Sequence, residues 1–228
     1  MYRLLREGVM NAKDLAQYFD ATLLTLDPSL TTLEKLCDDA MKFKVAAVCV
    51  QQPYVPLVAE KLAKSQVKPI TVVSFPFGAE TPHAKAVSAK EAVNLGAREI
   101  DMVMNIAALK MGDLRLVLDD IAGVVEAVAP VPVKVIIETG MLSREEKVVA
   151  ASLVQAGGAA FVKTCTGFGP GGAAVEDVQL IKSVVGHRVG IKASGGIKTL
   201  AQLEALVEAG ASRIGTSHWL SILQEVKQ

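Results

Sequence analysis

Short runs of apolar and β-branched residues alternate along this chain with longer segments in which apolar positions recur every three to four residues, the patterns of strands and of amphipathic helices. The short runs predict strands over Phe19–Leu24, Ala46–Val50, Ile70–Ser74, Glu99–Met104, Val133–Glu138, Ala159–Thr164, Val189–Ala193 and Arg213–Thr216. The amphipathic segments predict helices over Thr31–Lys44, Pro53–Lys64, His83–Leu95, Asp113–Val128, Ser143–Gln155, Val175–Val185 and Leu200–Glu208, with a short Leu220–Val226 closing the chain. Near-continuous apolar strands such as Ala46–Val50 suit a parallel sheet covered by helices. Glycines at Leu95-Gly96-Ala97, Gly157-Gly158-Ala159 and Ala209-Gly210-Ala211 supply helix stops. Eight strand–helix units predict a (β/α)8 TIM barrel, with an additional N-terminal helix over Tyr2–Gln17 plugging one end. No linker or low-complexity stretch divides the sequence, so residues 1–228 are expected to form a single barrel domain.

Composition narrows the partners. A hydrophobic content of 51% can fill a large core, and 24 basic residues balance 24 acidic ones. No basic run is interleaved with aromatics, which argues against nucleic acid and anionic membrane and in favour of a small solute. Cys37, Cys49 and Cys165 are odd in number and lack CxxC or His/Cys clustering, so neither a disulfide framework nor a metal site is expected, and a reducing compartment is. The segment from Met1 to Met10 carries Arg3, Arg6 and Glu7 without an apolar core, and no apolar run reaches membrane-spanning length. The expected location is cytoplasmic.

The candidate chemistry lies in two lysines. Lys163 and Lys192 sit in consecutive strand segments, Phe161–Thr164 and Gly190–Ser194, each followed by a glycine-rich turn. Burial disfavours an ammonium, and a second ammonium nearby disfavours it further, so such a pair can keep one amine neutral and nucleophilic for imine chemistry. A lone lysine at a strand end more often snorkels to water; two on neighbouring strands favour a site at the C-terminal mouth of the barrel. Asp101, an acid within the apolar run Glu99–Val103, is the natural third group, weighed against a structural ion pair; Asp20 in the first strand is a weaker case of the same kind. The turns Thr166–Gly172, Ser194-Gly195-Gly196 and Gly215-Thr216-Ser217 allow close backbone approach, and the helix N-termini after them could face an anion, although packing alone also calls for glycines there.

Seven segments, taken together and in order, resemble the deoxyribose-phosphate aldolase family: Asp20–Leu24, Ala47–Val50, Phe75–Ala79, Glu99–Val103, Lys134–Thr139, Phe161–Phe168 and Ile191–Gly196. The resemblance implies a class I aldolase, working without metal or other cofactor, that reversibly cleaves 2-deoxy-D-ribose 5-phosphate to acetaldehyde and D-glyceraldehyde 3-phosphate. It assigns the imine to Lys163, pKa control and proton transfer to Lys192, and proton exchange through a water to Asp101. Asp20, Thr22, Cys49, Thr166 and Gly167 would line the substrate channel, with Gly195, Gly196, Gly215 and Ser217 around the phosphate. Cys49 fits a wall better than a nucleophile, since no base adjoins it in sequence. Small sugar phosphates and aldehydes are the implied partners, and a homodimer or homotetramer the implied assembly. The chain departs from the family pattern at Ala21, where many members carry histidine, and at His218-Trp219 beside the phosphate turn. It ends at Gln228 without the tyrosine tail of some members, so turnover is expected to rest on Asp101 and Lys192. Another Schiff-base barrel aldolase or a transaldolase-like enzyme with a different donor is the competing enzyme reading, and a non-catalytic sugar-phosphate-binding barrel the competing class; the donor accepted and the effect of Lys163→Ala separate them.

Overall fold

The computed structural model of the protein describes residues 12–226. Among them, eight parallel strands close into one barrel in chain order: β1 Phe19–Leu23, β2 Ala47–Val50, β3 Lys68–Val73, β4 Glu99–Val103, β5 Val133–Ile136, β6 Phe161–Lys163, β7 Gly190–Ser194 and β8 Arg213–Thr216. The ring closes where Asp20 of β1 pairs with Gly215 of β8. Every expected strand is present, with shifted ends: β3 begins at Lys68 rather than Ile70, and β6 is confined to Phe161–Lys163.

Helices follow each strand, and their ends are set by short polar side chains and by glycine. Ser29, Thr81 and Asp113 accept from the amides of Thr32, Ala84 and Leu116, which starts the helices Leu30–Phe43, Pro82–Asn94 and Leu114–Val128. Ser143 with Glu146, and Thr199 with Gln202, form reciprocal caps on Arg144–Ala156 and Leu200–Glu208. At the other ends Gly96, Gly158 and Gly210 adopt left-handed backbone, and the next amide reaches back into the helix, as Ala97 N–H does to the Ala92 carbonyl. A short helix, Ile106–Lys110, was not foreseen, because five residues are too few to display a period; the Asn105 side chain caps it. Of the N-terminal helix expected over Tyr2–Gln17, the described part is Ala12–Ala16, with Leu15 and Ala16 buried. Residues 2–11 lie outside the described residues.

The layer between strands and helices is apolar and fully packed, as the near-continuous apolar strands require. Ala21 falls on this outer side, so the family departure there does not touch the barrel interior. The interior itself is divided. Toward β2 and β3 it is apolar, with Ala47, Cys49, Ile70 and Val72 packed under Leu24. Toward the remaining strands it is charged, with Asp20, Glu99, Asp101, Lys134, Lys163, Lys192 and Arg213 all buried. Barrel interiors are ordinarily filled by branched apolar side chains, so this half is built for something other than packing.

Outside the barrel, a second buried pair braces β4. Lys85 of Pro82–Asn94 donates to the Val103 carbonyl at 2.9 Å and to Asp120 at 2.7 Å, and the Asn105 amide donates to the same Asp120 oxygen at 3.2 Å. Both side chains are fully buried. Removing one partner strands a charge in the core, so Lys85→Ala is expected to lower the unfolding free energy in urea by about 3–5 kcal/mol, and Lys85→Met with Asp120→Leu to recover most of it. A loss in Lys85→Ala no larger than that of an ordinary surface change would contradict this bracing.

Candidate active site

Strand pairing brings the predicted groups to one level of the barrel. Lys163 of β6 is in register with Lys192 of β7, and Asp101 of β4 with Lys134 of β5. Because alternate residues of a strand face the same side, all four project inward. Asp101 lies among three ammonium groups: Oδ2 accepts from Lys163 at 2.8 Å and from Lys192 at 2.6 Å, and Oδ1 accepts from Lys134 at 2.9 Å. Lys192 also stands 2.5 Å from Asp20 Oδ2, as an ion pair without hydrogen-bond alignment. Lys192 lies within β7 rather than at its end, with Ala193 and Ser194 beyond it.

The two lysines on this rung have different electrostatic surroundings. For Lys163 burial is the largest effect; Asp101 opposes it and the Lys192 charge adds to it, so the Lys163 pKa lies below the ordinary lysine value. Burial works against the Lys192 charge too, but Asp101 and Asp20 together overcome it and raise that pKa. Asp101 stays an anion despite burial because Lys134, Lys163 and Lys192 surround it. Asp20 is likewise held down to about 2, against burial, by Lys192, Arg213 and Lys134. The two pKa values thus move in opposite directions, which favours loss of the proton from Lys163 rather than from Lys192. The second ammonium contributes as expected, but burial leads.

Above this rung opens a cavity of about 450 Å³ with Lys163 in its wall. Of the residues expected to bind substrate, Thr22, Thr166, Gly167, Gly195, Gly196, Gly215 and Ser217 line it. Asp20 and Cys49 do not: Asp20 is engaged by Lys192 and Arg213, and Cys49 is fully buried in the apolar half. Burial pushes the Cys49 thiol up to about 11, so it stays protonated. The helix N-terminus after β7 is also less available than foreseen, because Gln202 takes the amides of Lys198 and Thr199, and Glu225 that of Leu200. That corner of the wall is formed by the glycine loop, Ser217 and two further residues, Lys198 and His218.

The sequence matches the DeoC/LacD family of aldolases over residues 7–225. The chain belongs to this family. It is 49% identical over 208 residues to the deoxyribose-phosphate aldolase of Coprothermobacter proteolyticus, covering 91% of this chain and 95% of that protein. It is 47% identical over 214 residues to that of Brevibacillus brevis, covering 94% and 97%. Its fold superimposes with a TM-score of 0.90 on the deoxyribose phosphate aldolase of Aeropyrum pernix, at 27% identity and covering 99% of this chain and 97% of that one, a structure described as a unique tetramer.

Several groups in this aldolase site were not singled out in the sequence. Lys134, Glu99 and Arg213 continue the charged network below the rung: Lys134 lies 2.5 Å from Glu99, and Arg213 bonds both Asp20 and Glu99. Period two from Asp101 puts Glu99 on the inner face, and Lys134 within the apolar run Val133–Ile137 is the same anomaly as Lys163, so both carried a usable signal; nothing local marked Arg213. Glu138, held in left-handed backbone, accepts from the Thr166 amide at 3.1 Å and hydroxyl at 2.5 Å and so fixes the loop that carries Gly167. Gly215 has a second role besides lining the cavity. A Cβ there would lie 2.8 Å from Cε of Lys192. Gly215→Ala should therefore displace the Lys192 head and lower turnover by about a hundredfold, the cost of an ångström-scale misplacement. Unchanged steady-state rates in that variant would show that the Lys192 position is not critical.

Proposed function

We propose that the protein is a class I deoxyribose-phosphate aldolase that uses Lys163 as its imine lysine. The observation that carries this is the carboxylate of Asp101 shared between two lysines of one rung, only one of which faces the cavity and has a depressed pKa. Neutral Lys163 adds to the C1 aldehyde of open-chain 2-deoxy-D-ribose 5-phosphate, and loss of water gives the protonated imine. Deprotonation of the C3 hydroxyl then breaks the C2–C3 bond. C3 becomes the aldehyde of D-glyceraldehyde 3-phosphate, and the bonding pair moves onto C2 to form a two-carbon enamine on Lys163. Protonation at C2 and addition of water release acetaldehyde and restore the amine. Asp101, held by three lysines, exchanges these protons, while Lys192 remains charged and keeps Asp101 ionised between turnovers.

The phosphate end of the substrate sits against Gly195, Gly196 and Ser217, with the Lys198 ammonium at the rim. Substrate is then oriented with C1 toward Lys163 and the phosphate toward the mouth. Small sugar phosphates are the partners this cavity suits, with neither nucleic acid nor membrane involved; no described helix is long and apolar enough to cross a membrane. We place the enzyme in the cytoplasm as a homo-oligomer.

Reduction with borohydride in the presence of acetaldehyde should add a two-carbon adduct at Lys163 and abolish activity. An adduct confined to Lys192 or to surface lysines would overturn the assignment. Asp101→Asn should preserve some trapping while lowering turnover by roughly two to four orders of magnitude, the scale of a general acid–base contribution. Near-normal turnover in that variant would reduce Asp101 to an ion-pair partner. Acetaldehyde should serve as the nucleophilic component of synthesis; a preference for dihydroxyacetone would point to a different aldolase.

A further inference from the structure

One buried charge in the barrel has no role in the scheme above. Lys134 is fully buried below Asp101, does not line the cavity, and links Asp101 Oδ1 at 2.9 Å to Glu99 at 2.5 Å. Glu99 in turn reaches Arg213 at 3.2 Å and, at 2.8 Å, Lys68, which is half-exposed at the opposite rim. Seven of the eight strands therefore contribute a charged group to one network, Asp20 from β1, Lys68 from β3, Glu99 and Asp101 from β4, Lys134 from β5, Lys163 from β6, Lys192 from β7 and Arg213 from β8, and β2 places the Cys49 thiol near it. Cys49 is a neutral thiol, and Lys68 is solvated. The buried part thus sets the carboxylates Asp20, Glu99 and Asp101 against the cations Lys134, Lys163, Lys192 and Arg213, which is one cation in excess.

A surplus charge in a low-dielectric interior is costly, and proteins relieve it by neutralising a group. Arg213 keeps its proton at any accessible pH. Lys134 pairs with three carboxylates, Glu99, Asp101 and, at 3.9 Å, Asp20, and Lys192 with two, whereas Lys163 shares a single oxygen and alone among them faces the cavity. We propose that Lys134 is a positioning residue for the aldolase reaction, acting through its charge: by occupying Asp101 and Glu99 it makes Lys163 the group that must surrender the surplus proton. The residue acts without meeting substrate. This rests on Lys163 being the imine lysine, and it assigns the neutrality of that amine to the charge count of the whole interior rather than to Lys192 alone.

The charge count makes predictions of opposite sign. Lys134→Met leaves three cations for three carboxylates, so Lys163 keeps its proton. Glu99→Gln leaves two surplus cations, so Lys163 loses its proton more readily. The double variant restores an excess of one. The readout is the rate of acetaldehyde-dependent labelling of Lys163 by cyanoborohydride, located by peptide mass, from about pH 5 to about pH 10, spanning the range between free and depressed lysine values. Lys134→Met should move the profile alkaline by about one unit or more, a roughly tenfold slower labelling near neutrality. Glu99→Gln should move it the other way, and the double variant should return close to the wild-type profile.

A contact role for Lys134 predicts otherwise: the double variant would then remain as impaired as Lys134→Met, and that result overturns the proposal. Singles that shift in the same direction, or not at all, overturn it too. If Lys134→Met does not fold, the sign of the Glu99→Gln shift and the position of the double variant still decide. Failure of the wild type to label at Lys163 would instead refute the imine assignment, which separates the two claims.

Discussion

The carboxylate of Asp101 is the point on which this barrel is organised. It accepts from Lys134, Lys163 and Lys192 at 2.9, 2.8 and 2.6 Å while fully buried, and each of those lysines is itself buried. None of the four could be enclosed alone, since an isolated ion in the interior faces a desolvation cost of several kcal/mol. Together they are tolerated, and the parallel register is what brings them together: Asp101 opposite Lys134, and Lys163 opposite Lys192. The remaining charges, Asp20, Glu99 and Arg213, extend the same compensation to the floor of the barrel.

The geometry also explains why two lysines on one rung behave differently. Lys192 lies between Asp101 and Asp20 with no access to the cavity, so its charge is stabilised and retained. Lys163 has one oxygen of one carboxylate and an open face. Under the proposed assignment, this sets a stabilised cation next to the imine lysine. Gly215 is part of this arrangement, because its missing side chain is the space that the Lys192 stem occupies. The glycines of the β7 turn serve the substrate side: Gly195, in left-handed backbone, packs its Cα region against Cys165 and Gly172 where any Cβ would crowd them.

Much of this was readable in the sequence, for physical reasons that can be named. The strands showed as apolar runs because both of their faces are covered, and helix stops showed through Gly96 and Gly210, whose roles are local. Lys163, Lys192 and Asp101 stood out because a charge in an apolar run is anomalous wherever the run goes. What was not readable depended on partners distant in the chain. Arg213 meets Asp20 across 193 positions, and Lys134 meets Asp101 across 33, so neither pairing has a local signature. Asp20 and Cys49 were placed on the channel wall by resemblance, yet strand alternation and the depth of β1 and β2 put them beneath it. The Ile106–Lys110 helix and the engagement of the helix N-terminus by Gln202 are likewise products of tertiary context.

The central claim is that a single shared carboxylate leaves two facing lysines in opposite protonation states. The most direct measurement is an NMR titration of the unliganded enzyme carrying carbon-13 at lysine Cε, with Lys163→Met and Lys192→Met spectra to assign the two resonances. The account predicts that Lys163 titrates below the ordinary lysine range while Lys192 stays protonated beyond it. A titration in which Lys192 loses its proton first, or in which both lysines titrate at the ordinary value, would contradict it.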